Sequence, residues 1–152
     1  MIADRGNRSI QTFTLDGAHL RTIRDQAHLR MPCNFQTQGE WMVCPDLDSQ
    51  VCILDRQFNV VAQLGDGKAE NGEVGSRRSQ SRPQFTSGKF ITPHDAIFLH
   101  NGDILVAEWL PIGRITLLRR MNPLNSKFKL AYQSLGDREP GWNRRLADVA
   151  MH

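Results

Sequence analysis

Three stretches of this chain end in the same way, and that repetition constrains the fold more than any other feature. Residues 17–25 read GAHLRTIRD, residues 58–66 read FNVVAQLGD and residues 128–137 read FKLAYQSLGD. Each is a short strand-like pattern closing on an aspartate. Another apolar run precedes each one, at 10–13, 51–54 and 115–118. A third run stands before that, at 41–43 in the middle copy and 104–107 in the last. A fourth opens these two copies at 34–37 and 95–99, just after Pro32 and Pro93. Between the runs, Asp16-Gly17 and Asn101-Gly102 are strong hairpin signals and Gln38-Gly39 is a weaker one.

The repeating unit is therefore four short antiparallel strands. The closing aspartates Asp25 and Asp66 stand 41 residues apart, close to the length of one propeller blade. Asp66 and Asp137 stand 71 apart, so the last copy carries an insertion, at 67–91, rich in Gly, Ser, Arg and Lys. The spacing predicts an all-β chain of propeller-type four-stranded blades. An ordinary β-sandwich is the competing architecture. On this reading residues 1–137 are a partial propeller, with blade parts 1–25, 32–66 and 93–137. Residues 138–152 are a tail, in which 142–150 has room for one or two helical turns.

Composition narrows the function classes. With 152 residues the chain is long enough for one domain with a sizeable core. No run approaches the ~18 apolar residues of a membrane span. Residues 1–5, MIADR, lack the apolar stretch of a secretory signal, which points to the cytoplasm. Three cysteines, Cys33, Cys44 and Cys52, make neither a disulfide framework nor a Cys-x-x-Cys zinc pattern. A net charge of +3 does not by itself call for a nucleic-acid partner.

Residues 2–13, IADRGNRSIQTF, resemble the core of an NHL repeat. So do Pro93-His94-Asp95-Ala96-Ile97, residues 101–109 (NGDILVAEW) and Gly113-Arg114-Ile115. The resemblance covers about 1–66 and 93–120. It implies a β-propeller, in that family usually of six blades, and this chain supplies about half of one. The enzymatic relatives of the family are peptidyl-hydroxyglycine amidating lyases, which hold zinc in the central channel and calcium structurally. An open arc of blades leaves two apolar faces uncovered, which implies a second copy closing a two-fold ring of about six blades. The alternatives are that the insertion or the tail folds over those faces, or that the chain is a fragment.

The resemblance also points to site residues. Pro-His at the entry to an innermost strand supplies a zinc ligand in the lyases, and Pro93-His94-Asp95 matches it. Cys33, after Pro32, stands at the same place one blade earlier. His94 and Cys33 are therefore the candidate metal ligands, set against a strand-capping histidine and a small buried thiol. The lyase tyrosine has no counterpart, because the matching loop is Asp4-Arg5-Gly6-Asn7 and the only tyrosine, Tyr132, lies in an outer strand. This argues against an enzyme. Arg5, Asp95, Trp109 and Arg114 are candidate ligand-binding residues at blade ends. Asp4, Asp46, Asp48 and Glu108 recur at the ends of second strands. They suit either a hard cation such as calcium or, as the favoured reading, backbone N–H groups. Arg77, Arg78 and Arg82 form a basic cluster that suits either a solvated face, as the favoured reading, or RNA, with Phe85 and Trp142 as the stacking residues such binding needs. The expected function is binding or scaffolding through the end face of an assembled propeller. Its rivals are a metal-dependent lyase or hydrolase site in the channel and an RNA-binding module.

Overall fold

The computed structural model describes residues 1–25, 27–65 and 77–121, and the backbone of 131–135. The expected tail helix, Trp142 and most of the insertion lie outside the described residues. Among the described residues eleven strands run in chain order. They are β1 (Ile2–Asp4), β2 (Ser9–Phe13), β3 (His19–Ile23), β4 (Gln36–Gln38), β5 (Trp41–Asp46), β6 (Gln50–Leu54), β7 (Val60–Leu64), β8 (Pro93–Phe98), β9 (Ile104–Glu108), β10 (Arg114–Met121) and β11 (Ala131–Leu135). They form three antiparallel sheets in which every strand pairs with its neighbour in sequence: β1-β2-β3, β4-β5-β6-β7 and β8-β9-β10-β11. The chain is thus all-β. No helix among the described residues is long and apolar enough to cross a membrane.

Alternation builds each sheet, and tight turns set its register. Gly17, Gly39 and Gly102 all carry positive φ at the expected hairpins. Gly65, at the end of β7, has φ +83°, and a Cβ there would stand 2.8 Å from both the Phe90 ring and the Ser49 carbonyl oxygen. Only glycine fits this position.

The sheets stack face to face in chain order. One face of the second sheet (Val43, Val51, Ile53, Ala62, Leu64) packs on Phe90, Ala96, Phe98, Ile104, Val106 and Leu118 beside or within the third. The opposite face (Met42, Cys44, Cys52, Leu54) packs on Ile10 and Ile23 of the first sheet and on Leu29. A strand buried on both sides loses its alternation, which is why β6 reads as a continuous apolar run after Gln50 and is buried throughout.

The two outward faces differ from the expectation that both are apolar. On the third sheet, Ile97, Ala107 and Ile115 are exposed and Leu105 and Leu117 half-buried. They lie in adjacent cross-strand positions, Ile97 beside Leu105, Leu105 beside Leu117 and Ala107 beside Ile115. On the first sheet the corresponding face carries a polar network beside the exposed Ile2, which pairs with Gln11. Gln11 donates to Asp4 and Ser9, each at 3.2 Å, and accepts from the Thr22 hydroxyl at 2.6 Å, while His19 Nε2 lies 3.0 Å from the same Gln11 oxygen. These bonds use polar groups that an apolar blade face would leave unpaired.

Candidate functional site

One device recurs at the ends of β5 and β9. A carboxylate turns back to accept N–H groups from the segment that leads into the first strand of its own sheet. Asp46, fully buried, accepts from Arg30 at 2.7 Å, Met31 at 2.8 Å and Asp48 at 2.9 Å. Burial raises its carboxyl pKa, and the three backbone donors pull the other way. Glu108 accepts from Ile91 at 2.6 Å and Thr92 at 3.3 Å. It also pairs with Arg114, buried like itself. Asp4, at the end of β1, instead accepts from the side chains of Asn7 and Gln11, which lower its pKa.

These staples hold the turns after β1, β5 and β9 at one end of the stacked sheets, and side chains tie the turns together. Arg5 Nη1 approaches the Cys33 thiol at 3.8 Å, linking the first sheet to the second. Asn34 donates to Asp95 at 2.8 Å, linking the second to the third. Trp109, exposed at 54%, occupies this end beyond β9. Its backbone is pinned: its N–H donates to the Thr92 carbonyl at 2.8 Å, and its carbonyl accepts the Thr92 hydroxyl at 2.7 Å and Arg78 Nε at 2.8 Å. The Arg78 guanidinium carbon lies 3.6 Å from the Trp109 ring centroid, and the His94 ring meets the indole edge-on at 6.0 Å. Arg78, Trp109 and His94 thus form a cationic-aromatic platform held together by these contacts.

The candidate residues are distributed unevenly over this geometry. His94, Trp109 and Arg78 come together. Arg5, Cys33 and Asp95 lie at the same end but are engaged with Arg5–Cys33 and Asn34–Asp95 contacts. Arg114 turns inward, where it pairs with Glu108, donates to the Lys89 carbonyl at 2.6 Å and lies 4.6 Å over the Phe85 ring. That stack also occupies Phe85, one of the two aromatics considered for RNA bases. Arg82 is exposed, whereas Arg77 is buried. The Arg78–Trp109 stack was not read from the sequence, because the two residues stand 31 apart.

Among the described residues no three His, Cys, Asp or Glu side chains converge as a metal site requires. The Cys33 thiol points to the Met31 carbonyl, at 3.6 Å, and burial raises its pKa more than Arg5 lowers it. The Asp4, Asp46 and Glu108 oxygens that would suit calcium serve the hydrogen bonds described above, and the Asp48 carboxylate pairs with Arg30 at 2.8 Å. Cys44 and Cys52, opposite one another on β5 and β6, are buried free thiols whose pKa values burial pushes upward. A polar depression lined by Asn101, Asp103, Arg119 and Arg120 lies around the β8–β9 turn. No family model, curated protein or solved structure matches the chain.

Proposed function

We propose that this chain is a binding scaffold of NHL-type propeller architecture that works as a self-associated pair and presents the Arg78–Trp109–His94 end to its ligand. The observation that carries the reading is the contrast between sheet faces. Both faces of the second sheet are covered by apolar neighbours, while the third sheet leaves Ile97, Ala107 and Ile115 exposed and Leu105 and Leu117 half-buried. Contiguous apolar surface of this kind marks association. The partner we assign is a second copy. Closing a two-fold ring would set this face against the polar first sheet of the other copy and strand the Gln11 network. Face-to-face pairing sets apolar on apolar, in the isologous arrangement that dimers favour.

Sedimentation velocity on the full chain tests the reading. The wild type is expected to sediment as a dimer. Ile115→Lys, which places a charge on this face opposite Ala107, is expected to give a folded monomer. Leu20→Lys, equally exposed but on the first sheet, is expected to leave the dimer intact. A wild-type monomer, or a dimer indifferent to Ile115→Lys, overturns the reading.

A further inference from the structure

We propose that Arg77 and Arg78 form a binding site for a phosphate group in the segment leading towards β8. Arg77 is only 6% exposed, yet its Nε and Nη2 have no hydrogen-bond partner. Those two nitrogens lie along one edge of the guanidinium plane. That edge takes an oxyanion side-on through two parallel N–H···O bonds. The other buried arginine among the described residues is satisfied. Arg114, for comparison, has Glu108, the Lys89 carbonyl and the Phe85 ring. A buried cation with an empty fork is strongly unfavourable unless an anion completes it.

The next residue brings a second guanidinium. Stacking on Trp109 and the Nε bond to its carbonyl fix the Arg78 side chain. Its two Nη groups make no hydrogen bond with the described residues, so they remain available as donors. Little side-chain entropy is left for a ligand to remove from this arginine, which favours affinity. The turn that carries the pair is closed by the Gln80 N–H donating to the Arg77 carbonyl at 3.2 Å. Two cations on consecutive residues favour a dianion over a monoanion, and hence phosphate over carboxylate.

The site is independent of self-association, and its test reads a different quantity. The full chain is titrated by calorimetry with inorganic phosphate, O-phosphoserine and acetate at constant ionic strength, with melting temperature followed in parallel. Phosphate is expected to bind and to raise the melting temperature, and acetate to do neither. O-phosphoserine matching or exceeding phosphate assigns the site to esterified phosphate; weaker binding assigns it to the free ion. Arg77→Lys keeps the charge but loses the fork, so the dissociation constant is expected to rise about tenfold. Arg77→Met removes the unpaired charge. It is expected to abolish phosphate binding while melting no lower than wild type in phosphate-free buffer. No phosphate binding, equal binding of acetate, or unchanged binding by Arg77→Met overturns the proposal.

Discussion

Replacing Glu108 by Gln removes one charge from the interior without changing side-chain shape. The substitution separates the two roles of this residue. A glutamine oxygen can still accept the Ile91 and Thr92 N–H groups, so the staple to the segment before β8 survives. What is lost is the counter-charge of Arg114. That guanidinium keeps the Lys89 carbonyl and the Phe85 ring, but it becomes an uncompensated cation in a site only 7% exposed. Breaking a buried pair from one side costs about 3–5 kcal/mol. Arg114→Met leaves the opposite problem, a buried carboxylate that two backbone donors partly satisfy, at about 2–3 kcal/mol. The double substitution removes both charges and is expected to cost less than the sum, with a coupling of about 2–3 kcal/mol. Urea unfolding followed by circular dichroism measures all four stabilities, and a constant m-value licenses their comparison. Additive single substitutions, or a cost of Glu108→Gln below about 1 kcal/mol, would refute a buried, mutually dependent pair.

Asp46→Asn turns at least one amide donor toward backbone N–H groups and is expected to cost about 2–4 kcal/mol in the same assay. Because burial raises the native carboxyl pKa, the unfolded chain ionises first as pH rises, so the Asp46 contribution falls above the ordinary carboxylate value of 3.8. The cost of Asp46→Asn should accordingly shrink from acid towards neutral pH, and a cost that grows contradicts the sign. Gly65→Ala forces a Cβ to 2.8 Å from the Ser49 carbonyl oxygen and should destabilise well beyond Gly17→Ala, where the positive φ meets open space and strain alone costs about 1–2 kcal/mol. Equal melting temperatures for the two variants would argue against the close approach. Cys44 and Cys52 should resist thiol reagents in the native state while Cys33 reacts slowly, as counted by mass spectrometry with and without denaturant.

The strand order was legible because turns and alternation are local. Asp16-Gly17 and Asn101-Gly102 mark hairpins, and the paired runs fall close to the expected positions. β10 extends from Arg114 to Met121, beyond its apolar portion, because pairing with β11 does not require apolar side chains at Arg119 and Arg120. The carboxylates at Asp46 and Glu108 were legible as backbone acceptors from their recurrence alone. Three features were not. Arg114 goes inward because Glu108 waits at its cross-strand position, a pairing visible only once register is known. Arg77 separates from Arg82 by burial, which charge clustering cannot report. The polar network of the first sheet depends on Gln11, Thr22 and His19 meeting Asp4 across β1, β2 and β3, and those three read as ordinary surface residues in the sequence.

The pairing of third sheets is tested most directly by cysteine cross-linking in a Cys33→Ser background. Ile115→Cys alone is expected to give a covalent dimer with a short bis-maleimide, and Ile2→Cys alone is not. Mixing the two variants should yield no Ile2–Ile115 cross-link if the apolar faces meet each other. Cross-linking only in the mixture would mean that the first and third sheets of different copies meet in a closed ring, and no cross-link in any sample would mean that the exposed face of the third sheet has no second copy on it.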